Sequence, residues 1–211
     1  MSAKEIIAAR VAKELSNGDV VNLGIGLPTK VPNFLSKDVN VILQSENGFV
    51  GLGPVGEEVD PDLTNAGGQP AGVIPGAMFF DSLFSFQLIR GGHVDVTVLG
   101  GLEVDAKGNL ANWMIPGKMI PGMGGAMDLV VGTKKVIVAM EHCSKKGDPK
   151  ILDNCTLPLT GKGVVDMIIT ELAVFSVTEE GLVLEELQDG VDIETVRNKT
   201  AAKFLISENL Q

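Results

Sequence analysis

The chain has 211 residues, of which 45% are apolar, and it carries a net charge of −10 from 27 acidic and 17 basic residues. This length and composition predict a globular protein with a single domain over residues 1–211. The acidic balance, with no basic run longer than two residues, argues against a nucleic-acid-binding protein.

Membrane and secretory classes are also disfavoured. The first residues lack the apolar core and cleavage pattern of a signal peptide, and no apolar stretch approaches the roughly 18 residues needed to span a bilayer. Cys143 and Cys155 are too few for a disulfide framework. We therefore expect a cytoplasmic protein that does not interact with a membrane.

The N-terminal part alternates predicted helices with apolar strands. Ser2 and Glu5 match a capping box for an amphipathic helix over residues 2–16. Residues 48–76 are rich in glycine and proline, and we predict a long loop-rich insert there, a kind of segment that is more often functional than idle. Between these segments the pattern predicts an apolar run over Asp19–Leu27, a short helix over Thr29–Leu35 and a buried strand over Val39–Leu43.

The C-terminal part continues the alternation and ends in a hairpin and a helix. The hairpin is indicated by Glu179-Glu180-Gly181 between two alternating strands. Short buried strands between helices predict an α/β fold with a more antiparallel C-terminal part. The predicted elements are a helix over Asp81–Ile89, strands over Val94–Leu99 and Gly108–Met114, a turn-rich segment over Ile115–Asp128, strands over Val136–Met140, Ala173–Thr178 and Leu182–Leu187, and a helix from Asp192 through Phe204.

Glu46 is the strongest candidate for a catalytic residue. It follows the predicted strand at Val39–Leu43 and precedes Gly48, Gly51 and Gly53. A carboxylate directly after a buried strand is costly to bury unless it is bound or used, and ligands of open α/β sheets bind at the carboxyl ends of strands. The glycines would let a substrate approach the backbone closely. The alternative is an acidic residue solvated in a strand-to-loop turn.

A second candidate is the glycine-rich turn Gly122-Met-Gly-Gly-Ala-Met-Asp128. Closely spaced glycines can present consecutive backbone N–H groups to an anion, and an apolar helix start follows at Ala126–Val131. This pattern predicts a cradle for an oxyanion or a carboxylate. A tight structural turn is the alternative.

Other motifs fit known chemistry poorly. Gly24-Ile-Gly26 lacks the third glycine of a dinucleotide-binding fingerprint. His142, Cys143 and Cys155 do not have the spacing of metal ligands, so structural roles are favoured and no metal site is expected. His93 is interpreted as a turn residue because no nucleophile lies near it in the sequence.

Taken together, the motifs resemble the beta chain, or B subunit, of the 3-oxoacid CoA-transferases, and most closely the acetate/butyrate–acetoacetate type. The Ser-Glu-Asn-Gly element is the active-site signature of that family. The resemblance implies a three-layer α/β sandwich of the kind shared with ribose-phosphate isomerases, a fold that does not by itself fix a function. The matching elements are Gln44-Ser-Glu-Asn-Gly48, Gly51-Leu-Gly-Pro54 and Gly122-Met-Gly-Gly-Ala-Met-Asp128, within a likeness that runs from Asn22-Leu-Gly-Ile-Gly-Leu-Pro-Thr29 to the C-terminal hairpin.

The resemblance also implies a chemistry. Glu46 would attack an acyl-CoA thioester to give an acyl-glutamyl anhydride and then a glutamyl-CoA thioester, which an acceptor acid consumes in a ping-pong cycle. Asn47, Gly48, Gly124 and Gly125 would bind the substrate or stabilise the oxyanions. Coenzyme A would be a substrate, and no cofactor or metal is implied.

A partner is implied as well. In the family, a homologous A subunit completes the site, and we expect two copies of each chain. The substrates would be an acyl-CoA and a carboxylic acid such as a short-chain fatty acid or acetoacetate. Two alternatives remain open from the sequence: an acyl-CoA hydrolase that uses the same glutamate, and a non-catalytic ligand-sensing domain of the same fold.

Overall fold

The structure, a computed structural model, describes residues 1–117 and 122–211. Within these two ranges, four α-helices and one 3-10 helix cover a central sheet. The helices are α1 (Ala3–Ala12), the 3-10 helix (Leu27–Phe34), α2 (Ser82–Arg90), α3 (Ala126–Gly132) and α4 (Ile193–Lys199).

The strands are short and most are buried. They are β1 (Val20–Leu23), β2 (Ile42–Ser45), β3 (Phe49–Gly53), β4 (Gly72–Phe79), β5 (Val96–Leu99), β6 (Glu103–Asp105), β7 (Leu110–Ala111), β8 (Lys135–Ala139), β9 (Ile151–Leu152), β10 (Met167–Ile169), β11 (Ala173–Thr178), β12 (Gly181–Leu187) and β13 (Phe204–Ile206).

Ten strands form one sheet in the order β13-β12-β11-β10-β8-β5-β1-β2-β3-β4, and β7-β6-β9 form a second, smaller sheet. The five central strands from β10 to β2 are parallel to one another. The pairs β2–β3 and β3–β4 at one side, and β10–β11 and β11–β12 at the other, are antiparallel. The carboxyl ends of the parallel strands therefore meet along one edge of the molecule, where ligands of such sheets bind.

Both faces of the sheet are covered by helices, so successive residues of a central strand enter different hydrophobic clusters. On β8, Ile137 packs in a cluster with Ile7 and Val11 of α1. Its neighbour Val138 packs in the opposite cluster with Leu129 of α3. Each fully buried aliphatic side chain contributes about 1.5–3 kcal/mol, which explains why β8 is apolar from Val136 to Ala139. The predicted three-layer α/β sandwich is confirmed.

Several predicted boundaries are corrected. Helix α1 has the predicted interaction at its start, where the Glu5 carboxylate accepts a hydrogen bond from the backbone N–H of Ser2 at 2.8 Å, but it ends at Ala12 instead of residue 16. The helix capped by Asp192 ends at Lys199, because Phe204 begins β13 and pairs with β12. The hairpin of β11 and β12 is confirmed.

The predicted loop-rich insert over residues 48–76 is wrong in part. Its two ends are the antiparallel strands β3 and β4, and only the segment between them lacks strands. The glycines that suggested a loop are required by close strand packing, because a Cβ on Gly51 would lie 2.8 Å from the Cβ of Ala77. The predicted strand at Gly108–Met114 is reduced to β7.

Part of the predicted turn-rich segment Ile115–Asp128, namely residues 118–121, lies outside the described residues. No helix in the described ranges is long and apolar enough to cross a membrane.

Candidate active site at Glu46

Glu46 lies directly after β2, at the carboxyl end of a strand of the parallel part of the sheet. Its side chain is half-buried. One carboxylate oxygen, Oε2, accepts a hydrogen bond from Asn22 Nδ2 at 3.0 Å. Within the described residues the other oxygen, Oε1, accepts no hydrogen bond. Oε2 is therefore fixed by a hydrogen bond, whereas Oε1 is available for another interaction.

Buried polar side chains form a chain of hydrogen bonds that ends at Glu46. Asn22 Nδ2 also donates to Gln44 Oε1 at 2.7 Å, and Gln44 Nε2 donates to Ser85 Oγ of α2 at 3.0 Å. All three side chains are 2% exposed or less. Sequence reasoning placed Asn22 only within the family resemblance and gave it no role. The available signal was a lone amide in an otherwise apolar run, Val20-Val-Asn-Leu23.

The glycine-rich turn lies against Glu46. A Cβ on Gly125 would be 3.2 Å from Glu46 Cγ and 3.3 Å from Phe86 Cζ of α2. Gly124 has a φ of +58° and its Cβ direction is open among the described residues. Within the same residues, no acceptor is found for the N–H groups of Gly124 and Gly125. The structure thus brings Glu46 together with the turn that the family resemblance assigned to the same site.

Asn47 and Gly48 have contacts that position the site. Asn47 is exposed, and its Nδ2 donates to the carbonyl oxygen of Thr64 at 2.7 Å, which ties the segment between β3 and β4 to the end of β2. Gly48 has a φ of +137°, and a Cβ there would overlap the carbonyl oxygen of Phe80. The backbone conformation and this close approach are sufficient to require glycine at position 48.

A cavity of about 700 Å³ borders Glu46. Its lining is mainly apolar, and among the described residues that line it Glu46 is the only charged one. The volume falls within the range of small-molecule sites, roughly 300–1,000 Å³. The apolar lining includes Leu23, Leu35, Leu43, Leu52, Pro70 and Ile74.

His142, three residues after the last residue of β8, is engaged in structural contacts. It is fully buried, with Nδ1 at 2.9 Å from Thr170 Oγ1 and Nε2 at 2.9 Å from Thr200 Oγ1. Burial, followed by repulsion from Lys199 and Lys150, lowers the pKa of His142 to about 4. The ring is therefore neutral near pH 7.

The two cysteines and His93 do not form a second site. Burial, with the nearby charges of Asp105 and Glu103, raises the pKa of the Cys155 thiol to about 12, so its reactive thiolate is scarce near neutral pH. Cys143 and Cys155 are both free. His93 is exposed between α2 and β5. Over residues 1–117 and 122–211, no group of three or more His, Cys, Asp or Glu side chains has a metal-binding arrangement.

Comparison with known proteins identifies the family to which this chain is similar. The coenzyme A transferase family model matches residues 4–199. The beta subunit of acetate CoA-transferase of Escherichia coli (strain K12) is 61% identical over 210 residues, which cover 100% of this chain and 97% of that protein. The B subunit of succinyl-CoA:3-ketoacid coenzyme A transferase of Helicobacter pylori is 57% identical over 203 residues, covering 95% of this chain and 98% of that protein.

The structure of the acyl-CoA transferase YdiF apoenzyme from Escherichia coli O157:H7 superposes with a TM-score of 0.80 at 25% identity. The match covers 99% of this chain but 42% of the YdiF chain. The family model and both relatives extend over nearly the whole sequence. The chain therefore belongs to the coenzyme A transferase family.

Proposed function

We propose that this chain is the subunit of a CoA-transferase that carries the nucleophile, and that the nucleophile is Glu46. The observation that carries this proposal is the state of its carboxylate. Oε2 is held by Asn22, while Oε1 has no hydrogen-bond donor among the described residues. The carboxylate lies at a strand end beside an apolar cavity of about 700 Å³.

The proposed reaction begins with attack of Glu46 Oε1 on the carbonyl carbon of an acyl-CoA. A C–O bond forms, the C–S bond breaks, and CoA leaves as a thiolate from an acyl-glutamyl anhydride. The thiolate then attacks the glutamyl carbon, forming a glutamyl-CoA thioester and releasing the donor acid. An acceptor carboxylate reverses these steps and receives the CoA. Splitting the exchange in this way gives ping-pong kinetics.

Each attack on a carbonyl carbon creates an oxyanion that requires hydrogen-bond donors. The turn containing Gly124 and Gly125 is the proposed donor for the oxyanion on the acyl group, because Gly125 lies against Glu46 and the N–H groups of both glycines lack acceptors in the described ranges. Loss of one such donor typically costs about 10²–10³ in rate. Asn47 and Gly48 contribute by fixing the strand end and the segment next to it.

The proposed substrates follow from the cavity. Its lining is apolar and, among the described residues, it contains no Lys, Arg or His. A short-chain fatty acid or a 3-oxoacid such as acetoacetate fits such a lining, because its reacting carboxylate would be the only charge to accommodate. Coenzyme A serves as a substrate, and the steps above require neither a metal nor another cofactor.

The proposal includes a companion subunit, a homologous A-type chain, in an assembly of two copies of each. This chain spans 42% of the YdiF chain, and its two relatives above are named as the beta and the B subunits of their enzymes. Large apolar side chains are exposed on β4, α2 and α3, and a cluster of such residues is typical of an interface. It consists of Met78, Phe79, Leu83, Phe84, Met127 and Val131.

The test is an activity assay of the reassembled subunits. With an acyl-CoA and an acceptor acid, we expect transfer of CoA to the acceptor, and loss of at least about 10³-fold in kcat for Glu46→Gln, because the nucleophilic oxygen is absent. Glu141→Gln, which changes the acidic residue after β8, is the matched control and should retain activity.

Two outcomes would contradict the proposal. Thiol release that is independent of the acceptor acid would indicate an acyl-CoA hydrolase. Activity near that of the unmodified chain in Glu46→Gln, with deamidation excluded by mass spectrometry, would remove Glu46 as the nucleophile.

A further inference from the structure

The two outer strands of the ten-stranded sheet, β4 and β13, differ in how well their free edges are protected. Strand β4 contains Pro75, which has no backbone N–H, and Gly76, whose φ of +89° departs from an extended strand. Residues of this kind prevent an edge from pairing with another strand. Strand β13, with the sequence Phe204-Leu-Ile206, contains neither proline nor glycine. Its edge is therefore able to accept a further strand.

The backbone groups of β13 that point away from β12 belong to Phe204 and Ile206. The N–H of Ser207 donates to the carbonyl oxygen of Leu184 on β12 at 3.0 Å, in a parallel pair that aligns Leu184 with Ile206. In an extended strand, the N–H and C=O of one residue point to the same side, and those of the next residue point to the other. Leu205 and Ser207 thus face β12, while Phe204 and Ile206 face outward. Among the described residues, no strand pairs with this outer side.

The side chains of this edge combine a fixed position with exposed apolar surface. Phe204 contacts Phe175 of β11, with ring centroids 5.4 Å apart, which holds β13 against the sheet. Leu205 is 49% exposed and Ile206 is 41% exposed. A strand added at this edge would remove part of that apolar surface from water, which favours pairing.

An open pocket of about 620 Å³ lies next to the edge and carries two cationic side chains. Arg197 and Lys203 line it together with one carboxylate, Glu180, and with residues 200–202. In a chain of net charge −10, this local excess of positive charge favours an anionic group. Arg197 Nε is 3.9 Å from Glu194 Oε1, too far for a hydrogen bond. Its guanidinium is therefore available to a closer carboxylate.

We propose that β13 pairs antiparallel with β13 of a second copy of this chain, about a twofold axis at Leu205. Phe204 of each copy then lies opposite Ile206 of the other, and the outward backbone groups of both residues are satisfied. The contact is isologous, because each copy supplies the same surface. It would join the two copies in the proposed assembly, so the inference rests on the proposed function for that number of copies, although the pairing itself requires no catalysis.

The same pairing brings opposite charges together. It places Glu208 of one copy opposite Ala202 of the other, at the border of the cationic pocket. Glu208 is exposed in the turn after β13, and its carboxylate would bind between Arg197 and Lys203 of the second copy. A lysine beside a free edge normally deters pairing. The carboxylate removes this barrier, and the twofold axis repeats the contact, which favours a second copy over an unrelated strand.

Charge reversal tests the pairing in the complex of this chain and its companion subunit. Lys203→Glu and Glu208→Lys should each halve the molecular mass measured by sedimentation, because like charges then meet in both contacts. An equimolar mixture of the two variant complexes should recover the full mass, because every contact then joins a carboxylate to an amine. Lys145→Glu, which reverses an exposed charge in the loop after β8, is the matched control and should keep the full mass.

Leu205→Cys gives a second test, which uses the chain without its companion subunit. Residues that meet at this twofold axis form a non-hydrogen-bonded pair with Cα atoms about 4.5 Å apart, a separation that suits a disulfide. Mild oxidation should convert Leu205→Cys into a covalent dimer. Ile206→Cys is the matched control and should form little dimer, because it lies opposite Phe204. Mass spectrometry of the digest would show whether position 205 is linked to itself or to Cys143 or Cys155.

The outcomes distinguish this inference from the proposed function. The pairing would be overturned by an unmodified complex with one copy of each chain, by full mass in both charge-reversed variants, or by no mass recovery in their mixture. Absence of a dimer linked through position 205 would overturn it as well. None of these results would affect the role of Glu46. A chain that pairs through β13, but whose complex with the companion subunit transfers no CoA, would overturn the proposed function and leave the pairing in place.

Discussion

Two strands in the parallel part of the sheet lead into polar residues whose surroundings differ. Glu46, after β2, has one carboxylate oxygen bound to Asn22 and stands beside a cavity of about 700 Å³. His142, after β8, is fully buried and both of its ring nitrogens contact threonine hydroxyls at 2.9 Å. A polar residue after a buried strand is a candidate for chemistry when its surroundings leave part of it unsatisfied and accessible.

The difference arises from the elements that pack against each strand end. At Glu46 the neighbour is a glycine-rich turn, and Gly125 contributes no side chain that could fill the space. At His142 the neighbours are Thr170, after β10, and Thr200, after α4, and each supplies a hydroxyl at hydrogen-bond distance. Similar strand ends therefore differ in what surrounds them: His142 stabilises the fold, whereas Glu46 is the residue that we propose for catalysis.

A side chain added to the glycine-rich turn next to Glu46 should have the largest effect on kcat. In Gly125→Ala the new Cβ would lie 3.2 Å from Glu46 Cγ, tighter than nine in ten such contacts, so the Glu46 side chain must give way by a few tenths of an ångström. We expect kcat to fall by roughly 10–100-fold with a smaller change in KM, because misplacement of a reacting group mainly affects the transition state. Steady-state kinetics of the assembled enzyme would measure this.

Gly124→Ala is the matched control for this effect. Its Cβ meets no described atom within 4 Å, but its φ of +58° is unfavourable for alanine. We expect a loss of about 1 kcal/mol in the free energy of unfolding and a smaller loss of kcat than in Gly125→Ala. Normal kcat in a folded Gly125→Ala variant would assign the turn a structural role only.

Replacement of His142 should affect stability and leave catalysis unchanged. His142→Ala creates a buried cavity and removes two hydrogen bonds, so we expect the free energy of unfolding to fall by about 2–4 kcal/mol with kcat unaltered. Urea titration of the variant, together with the activity of the assembled enzyme, would check both parts. A large loss of kcat in a stable variant would contradict the structural assignment.

The pH dependence of stability has a defined sign. The pKa of His142 is about 4 in the folded protein, against an ordinary value of 6.5. Between these values the unfolded chain binds more protons, so the contribution of His142 to stability is complete above pH 6.5 and is lost as the pH falls toward 4. The loss amounts to about 3 kcal/mol. The free energy of unfolding of His142→Ala, measured over this pH range, should not show this loss.

The parts of the fold that were predictable are those with local signals. The β-branched runs of β5 and β8 and the turn between β11 and β12 are visible in short stretches of sequence. The strands β3 and β4 were missed because Gly51 usually indicates a turn, whereas here it permits contact with Ala77. The early end of α4 depends on pairing of β13 with β12, which is not local.

The residues of the candidate site also differ in whether a local sequence signal identifies them. Glu46 was identifiable because a carboxylate after an apolar strand is conspicuous in the sequence. The hydrogen bond from Asn22 to Glu46 was not predictable, because it depends on the register that pairs Asn22 with Gln44 across β1 and β2. Gly48 was predicted to serve the substrate, and the structure shows that its backbone conformation and the carbonyl of Phe80 already require glycine.

The central claim is that Glu46 forms the covalent intermediate, and identification of the labelled residue tests it most directly. The reassembled enzyme is incubated with an acyl-CoA and no acceptor acid, treated with borohydride to reduce any glutamyl thioester to an alcohol, digested, and analysed by mass spectrometry. We predict the reduced product on the peptide that contains Glu46, and none in Glu46→Gln. Modification of Cys143 or Cys155 instead, or an unmodified Glu46 in an enzyme that transfers CoA, would contradict the account.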